Sequence, residues 1–257
     1  MTDRSAMRTL AGRLLVLAAF VLAPATLKAA NPDALWNIVH GQCVPAERGG
    51  SGPAPCSLVD LKDGYAVLKD IRGVTQFLLI PTAKVTGIED PQILALGAPN
   101  YREAAWQARI FMAERAGRAV PREDVGLAIN SVHGRSQNQL HIHIDCLSAS
   151  AKQALAQAAG RIGGVWSALA QSLSGHFYLA MRVEAPDLAT IDPFRLVADG
   201  IPSAAADMGN QTIVVAGAVL ADGKPGFYIL DDRADPTQGD RGSGEELLDH
   251  ECLVLRQ

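Results

Sequence analysis

From Gln139 onward, the stretch Ser136–Cys146 (SQNQLHIHIDC) alternates between two kinds of residue: Leu140, Ile142 and Ile144 are apolar, while Gln139, His141, His143 and Asp145 are polar. Successive strand side chains point to opposite faces. The pattern therefore requires a sheet with one face buried in apolar packing and the other carrying two imidazoles, an amide and a carboxylate. His141 and His143 stand about 7 Å apart along such a strand. At that spacing both rings can converge on one small target, a phosphate or a metal ion.

The flanking sequence supplies the rest of an α+β fold, an antiparallel sheet with flanking helices and additional strands in the C-terminal half. Tyr65–Lys69 and Gln76–Ile80 are β-rich runs separated by Asp70-Ile71-Arg72-Gly73, predicting a hairpin stopped by Pro81. Asn100 and Glu103 have capping-box spacing. They open a helix with Trp106, Ile110 and Ala113 on one face, which Gly117 ends. Val125–Asn130 is a further strand, followed by a polar turn, Ser131–Asn138. Ser148 or Ser150 caps an alanine-rich helix, and Phe177–Val183 forms a strand. Thr212–Leu220 and Gly226–Leu230 form a hairpin through Asp222-Gly223. Asp231–Gly244 is expected to be an exposed loop and Glu245–Leu255 a terminal helix bearing Cys252. No internal sequence repeat, no GxxxxGK[ST] and no GxGxxG is found.

The first 30 residues differ in kind. Arg4, Arg8 and Arg13 precede an apolar run, Leu14–Ala23, and then Pro24-Ala25. This is the layout of an export signal or N-terminal anchor, and the run is short for a spanning helix of about 20 residues. Residues 31–257 then form a single domain, 31–160 its catalytic half and 161–257 a second α+β half. All four cysteines follow the export segment. An even count in an exported chain suggests disulfides: Cys43 with Cys56 across a Gly/Pro-rich loop, leaving Cys146 with Cys252. Free thiols or a cysteine metal site are the alternatives, but no CxxC spacing is present. With 23 basic and 27 acidic residues the formal net charge is −4, which gives no electrostatic footprint for nucleic acid.

The histidine strand admits three readings. His141 could attack phosphorus as a neutral imidazole, with His143 stabilising the phosphoryl oxygens and the preceding turn presenting N–H groups. Alternatively His141, His143 and Asp145 could hold a transition metal in an exported metal-dependent hydrolase. Or the histidines could be polar residues on a solvated face, leaving at most a binding protein for nucleotides or anionic lipid head groups. Lys69 and Arg72 close the first hairpin, either reaching a phosphate or standing as solvated charges. His133 and His176 are weaker candidates, His40 and His250 have no supporting constellation, and Trp106 and Trp166 suit a core.

The segment NSVHGRSQNQLHIHI is similar to the signature of the histidine-triad superfamily of nucleotide hydrolases and transferases. Counted back from the histidines, Gly134 and Ser136 fall on the turn's glycine and hydroxyl positions, and Asn130 near its asparagine if the loop is shorter. His141 falls on the nucleophile and His143 on the last histidine. Over most of its length the chain more closely resembles the CDP-diacylglycerol pyrophosphatases, in GYAVLKDIRG, QFLLIPT, AWQARIFM, LAINS, GRSQN, HIHI, GHFYLA and DHEC. That resemblance implies hydrolysis of CDP-diacylglycerol to CMP and phosphatidate without a cofactor or metal. It places the enzyme on the exported (periplasmic) side, at the membrane surface or free if the leader is cleaved. Asn130, Gly134, Arg135, Ser136 and Lys69 are then the candidate phosphate-binding residues. Two positions depart from the pattern. Gln139 replaces the first histidine, and its amide can hydrogen-bond but carries no proton or charge. Arg135 replaces a glutamine, bringing a fork that can engage a phosphate or face solvent.

Overall fold

The computed structural model describes residues 31–256, and the export segment lies outside the described residues. The fold is α+β. Helix α1 (Ala34–Ile38) passes through a π-turn into α2 (Val44–Arg48), which the Cys43–Cys56 disulfide ties to the following loop. Strands β1 (Leu58–Asp60), β2 (Tyr65–Lys69) and β3 (Phe77–Pro81) precede helices α3 (Tyr101–Gln107) and α4 (Ile110–Ala116). Next come β4 (Val125–Ile129), β5 (Ile142–Leu147), α5 (Ala149–Ala158), β6 (Ser167–Ala168), β7 (Leu179–Glu184) and α6 (Pro193–Gly200). Last are β8 (Gln211–Val219), β9 (Pro225–Arg233) and the two-residue β10 (Leu248–Asp249). No helix among the described residues is long and apolar enough to cross a membrane.

All strands join one antiparallel sheet in the order β1-β2-β3-β5-β4-β8-β9-β7-β6, with β10 paired to the far end of β5. The order β3-β5-β4 followed by β8-β9-β7 is a palindrome. Each half runs strand, helix, then a paired couple of strands, and the two meet where β4 pairs with β8. A repeat absent from the sequence is thus present in the topology.

One face of the sheet packs Phe77, Leu127, Ile142 and Ile144 against Trp106 and Met112 of the first helical layer and Phe194 and Val197 of α6. The opposite face carries two separate apolar clusters. Ala66, Leu68, Leu78 and Ile80 pack beneath α1 and α2. Ala128, Val214 and Leu230 pack beneath Leu155 of α5 and the C-terminal Leu247 and Leu248. His143 lies between Leu78 and Ala128 in register. The polar face of β5 therefore forms a seam between two hydrophobic packings.

Several expected elements differ. The histidine strand begins at Ile142, not at Ser136. The next partner of Leu140 would be Pro81, which has no N–H to offer, and Leu140 N–H instead bonds Val85 O at 2.6 Å. The capping at Asn100 is real, its Oδ1 accepting from Glu103 N–H at 2.9 Å. The helix, however, breaks at Ala108–Arg109, where the Arg109 guanidinium takes the Trp106 carbonyl, and Ile110 is left exposed. Gly117 ends it in a left-handed conformation, as expected. No terminal α-helix forms: Gly244–Leu247 is a 3-10 turn, β10 follows, and Cys252 has φ 49°, outside helical space. Asp231 and Asp232 are not loop residues but buried positions of β9.

Candidate active site

His141 is 7% exposed and His143 4%, their rings 4.9 Å apart and edge-to-face. The His141 Nδ1 lies 2.7 Å from the backbone carbonyl of Gln139. A carbonyl only accepts, so Nδ1 carries the ring proton and Nε2 is left with its lone pair. Burial pushes the His141 pKa down, keeping the ring neutral. Burial and the adjacent His141 push His143 further, to about 3.

His143 is held by groups from three segments. Gln76 of the hairpin places its amide nitrogen 2.9 Å from Nδ1, and Asn130 places its own 3.4 Å from Nε2. Glu245 brings Oε1 to 3.4 Å from Nδ1. The Glu245 carboxylate also accepts from Gln76 and Asn130, and its N–H donates to Asn130 Oδ1. Burial alone would raise the Glu245 pKa. The neighbouring His143, the two amide hydrogen bonds and His250 together outweigh burial and hold the carboxylate below its ordinary range. Gln76 also donates to Asp70 at 2.7 Å.

Asp145, fully buried, turns away from both strand histidines. It accepts from Thr75 Oγ1 at 2.6 Å and its own neighbour's N–H (Cys146), and lies 2.9 Å from His250 Nδ1. The Asp145 contact raises the His250 pKa, and the His250 Nε2 is 3.7 Å from Glu245. The set His141, His143 and Asp145 is therefore not assembled as a metal centre. The groups that could converge on a cation are Asp70, His143 and Glu245, whose donor atoms lie within 4.8 Å of one another.

Of the expected phosphate-binding residues, Asn130 reaches the histidines. Arg135 does not present its fork: both terminal nitrogens are taken by Glu89, each at 2.6 Å. Lys69 bonds the carbonyls of Asp70, Arg72 and Gly73, closing its own hairpin. Gly134 is needed for a close approach, since a Cβ there would sit 2.3 Å from Gly242 O. Ser136 is exposed on the loop. The Gln139 side chain is buried and donates to the carbonyls of Pro81 and Ala83, at 3.0 and 2.8 Å. His133 bonds Asn210, and Trp106 is core, as expected. His176 lies outside this cluster.

Sequence reasoning missed Gln76, Asp70, Glu245 and above all His250. His250 enters through two devices, β10 pairing with β5 at Cys146–Leu147 and the Cys146–Cys252 disulfide. The advance signals for it were the cysteine two residues away and its place in the DHEC segment that carries the family resemblance.

Residues 30–256 match the family described as CDP-diacylglycerol pyrophosphatase. The chain belongs to this family. It is similar to the CDP-diacylglycerol pyrophosphatase of Yersinia pestis, 43% identical over 242 residues that cover 94% of this chain and 92% of the relative. In this family member, both expected disulfides are formed, with Cα–Cα separations of 5.7 and 5.2 Å.

Proposed function

We propose that this CDP-diacylglycerol pyrophosphatase family member hydrolyses CDP-diacylglycerol to CMP and phosphatidate through a covalent nucleotidyl-histidine. The carrying observation is the Gln139 carbonyl on His141 Nδ1, which supports Nε2 as the nucleophile. Nε2 attacks the phosphorus next to the nucleoside and phosphatidate leaves with the bridging oxygen. Water then cleaves the phosphoramidate, releasing CMP. His143 and Asn130 face the phosphoryl oxygens, and His250 stands 3.7 Å from Glu245 beside them. The two disulfides and the basic-apolar leader support export, with the membrane surface as the place where the lipid substrate is met. The histidine-triad likeness, the single domain over 31–257 and its two-half division belong to the same reading.

Gln139 fits this scheme in an unexpected way. What the nucleophile uses at position 139 is a backbone carbonyl, which any residue supplies. Gln139→Leu is expected to cost about 1–3 kcal/mol of stability through its two lost hydrogen bonds. Turnover per folded molecule should fall by less than about tenfold. Thermal melts and kcat on the same samples separate the two.

The pH dependence follows from the lowered imidazoles. A nucleophile with a pKa below the ordinary 6.5 stays neutral as pH falls through that value. The acid limb of kcat/KM is expected below pH 6.5. Stability has the same sign: unfolded histidines bind protons between 6.5 and the native values, so stability is lost as pH falls through that window. A limb at or above 6.5 would contradict a buried neutral His141.

The reading is tested by CMP release from CDP-diacylglycerol in detergent with the purified chain. No product would leave only a nucleotide or lipid binder. A second reading rests on Asp70, His143 and Glu245, which could hold a metal. Loss of activity on chelation, with recovery on added zinc, would replace the metal-free mechanism.

A further inference from the structure

A second polar cluster lies on the same face of the sheet. Extending the β4 ladders one step puts His141, Asn130, Thr212 and Asp232 in one row. Three strand spacings separate the ends, about 14 Å. Around Asp232 gather His176, Asp240 and Glu246. His176 Nδ1 is 3.3 Å from Asp240 Oδ1, 3.2 Å from Glu246 Oε1 and 4.0 Å from Asp232 Oδ2.

Three observations point to a missing positive partner. The Asp232 side chain is 5% exposed, yet its Oδ2, aimed at His176, has no hydrogen-bond partner. His176 Nδ1 makes no hydrogen bond either, despite three carboxylates around it. With all three carboxylates ionised, one imidazolium would leave two uncompensated negative charges in a largely buried place, which is costly. Consistent with this, burial and the neighbouring Asp240 push Asp232 up to about 7.

We propose that His176, Asp232, Asp240 and Glu246 bind a first-row divalent cation that pins the Gly244–Leu247 turn to the second half of the sheet. One imidazole with carboxylate oxygens suits zinc better than magnesium, which takes oxygen alone. Tetrahedral zinc with bonds of about 2.0–2.1 Å places its donors about 3.3 Å apart, matching the two shorter spacings around His176. Tyr178 OH donates to Glu246 Oε1 at 2.9 Å, orienting that ligand from behind. A cavity of about 240 Å³ lined by Phe177, Gln211, Asp231 and Asp232 opens beside the cluster. The cation would act at a distance from the chemistry: the turn carries Glu246 into this cluster and Glu245 into the catalytic one.

Zinc titration of the full, metal-stripped chain by calorimetry tests this. One equivalent should bind, at least about tenfold more weakly to Asp240→Asn and to His176→Gln and undiminished in His143→Ala. Zinc should raise the Tm of the wild type but not that of Asp240→Asn. Both substituted side chains are partly solvent-exposed, and circular dichroism confirms folding. Three results would each overturn the proposal: no zinc uptake, uptake abolished by His143→Ala, or both cluster variants binding zinc like the wild type. In the first case protons alone balance the carboxylates.

Discussion

His141→Ala should lower CMP release by about 10⁴-fold or more, the scale seen when a covalent nucleophile is removed from an otherwise intact site. The effect is expected to be large because, in the proposed mechanism, Nε2 is the atom that forms the new bond and no neighbour takes its place. His143 Nδ1 and Nε2 are both approached by amide nitrogens, and His250 is committed to Asp145. The fold should tolerate the change, since the apolar side of the strand, Ile142 and Ile144, is untouched. Two measurements check it: turnover, and mass spectrometry of the quenched wild type for a cytidylyl group on the peptide containing His141. A variant retaining more than about a hundredth of wild-type activity would remove the covalent route.

The second large effect is expected at the Cys146–Cys252 disulfide. It closes a loop with a sequence separation of 106. Cross-linking so long a segment is worth up to about 4–5 kcal/mol through restriction of the unfolded chain. Cys146 follows Asp145, and Cys252 lies two residues after His250. The bridge thus clamps the His250 ring onto the Asp145 carboxylate and keeps Glu245 against His143. Replacing both cysteines with Ala should lower the Tm markedly. At temperatures where the variant is still folded, kcat should also fall, by about 10–100-fold, as for other losses of a positioning contact. If kcat of the folded variant matches the wild type, the bridge serves stability alone. The Cys43–Cys56 bridge spans a sequence separation of only 13, joins neither β5 nor the segment carrying His250, and is the natural control.

How much of this was legible beforehand depended on range. The alternation Leu140-Ile142-Ile144 announced the buried face of β5 because strand period is a local property. The hairpins at Asp70–Gly73 and Asp222-Gly223 and the caps at Asn100 and Ser148 were visible for the same reason. The terminal segment misled because its composition suits a helix, while its structure is set by pairing with β5 and a disulfide more than a hundred residues away in sequence. The same non-local pairing hid His250, whose neighbours in sequence say nothing of Asp145. Arg135 and Lys69 misled in the opposite sense. Their charges suggested an anion, but Glu89 and the hairpin carbonyls had already claimed them.

The palindromic strand order has a consequence for how chemistry is distributed along the chain. With the Leu127–Val215 pair as the axis, the place corresponding to His143 is Tyr228, and that of His141 is Gly226. The fold therefore offers two equivalent seats, on β5 and on β9, and only the first is furnished with imidazoles. In topology, one polypeptide is arranged as a fused pair. The acidic cluster gathers around Asp232, on a strand of the second member, which has no imidazole at the corresponding strand positions.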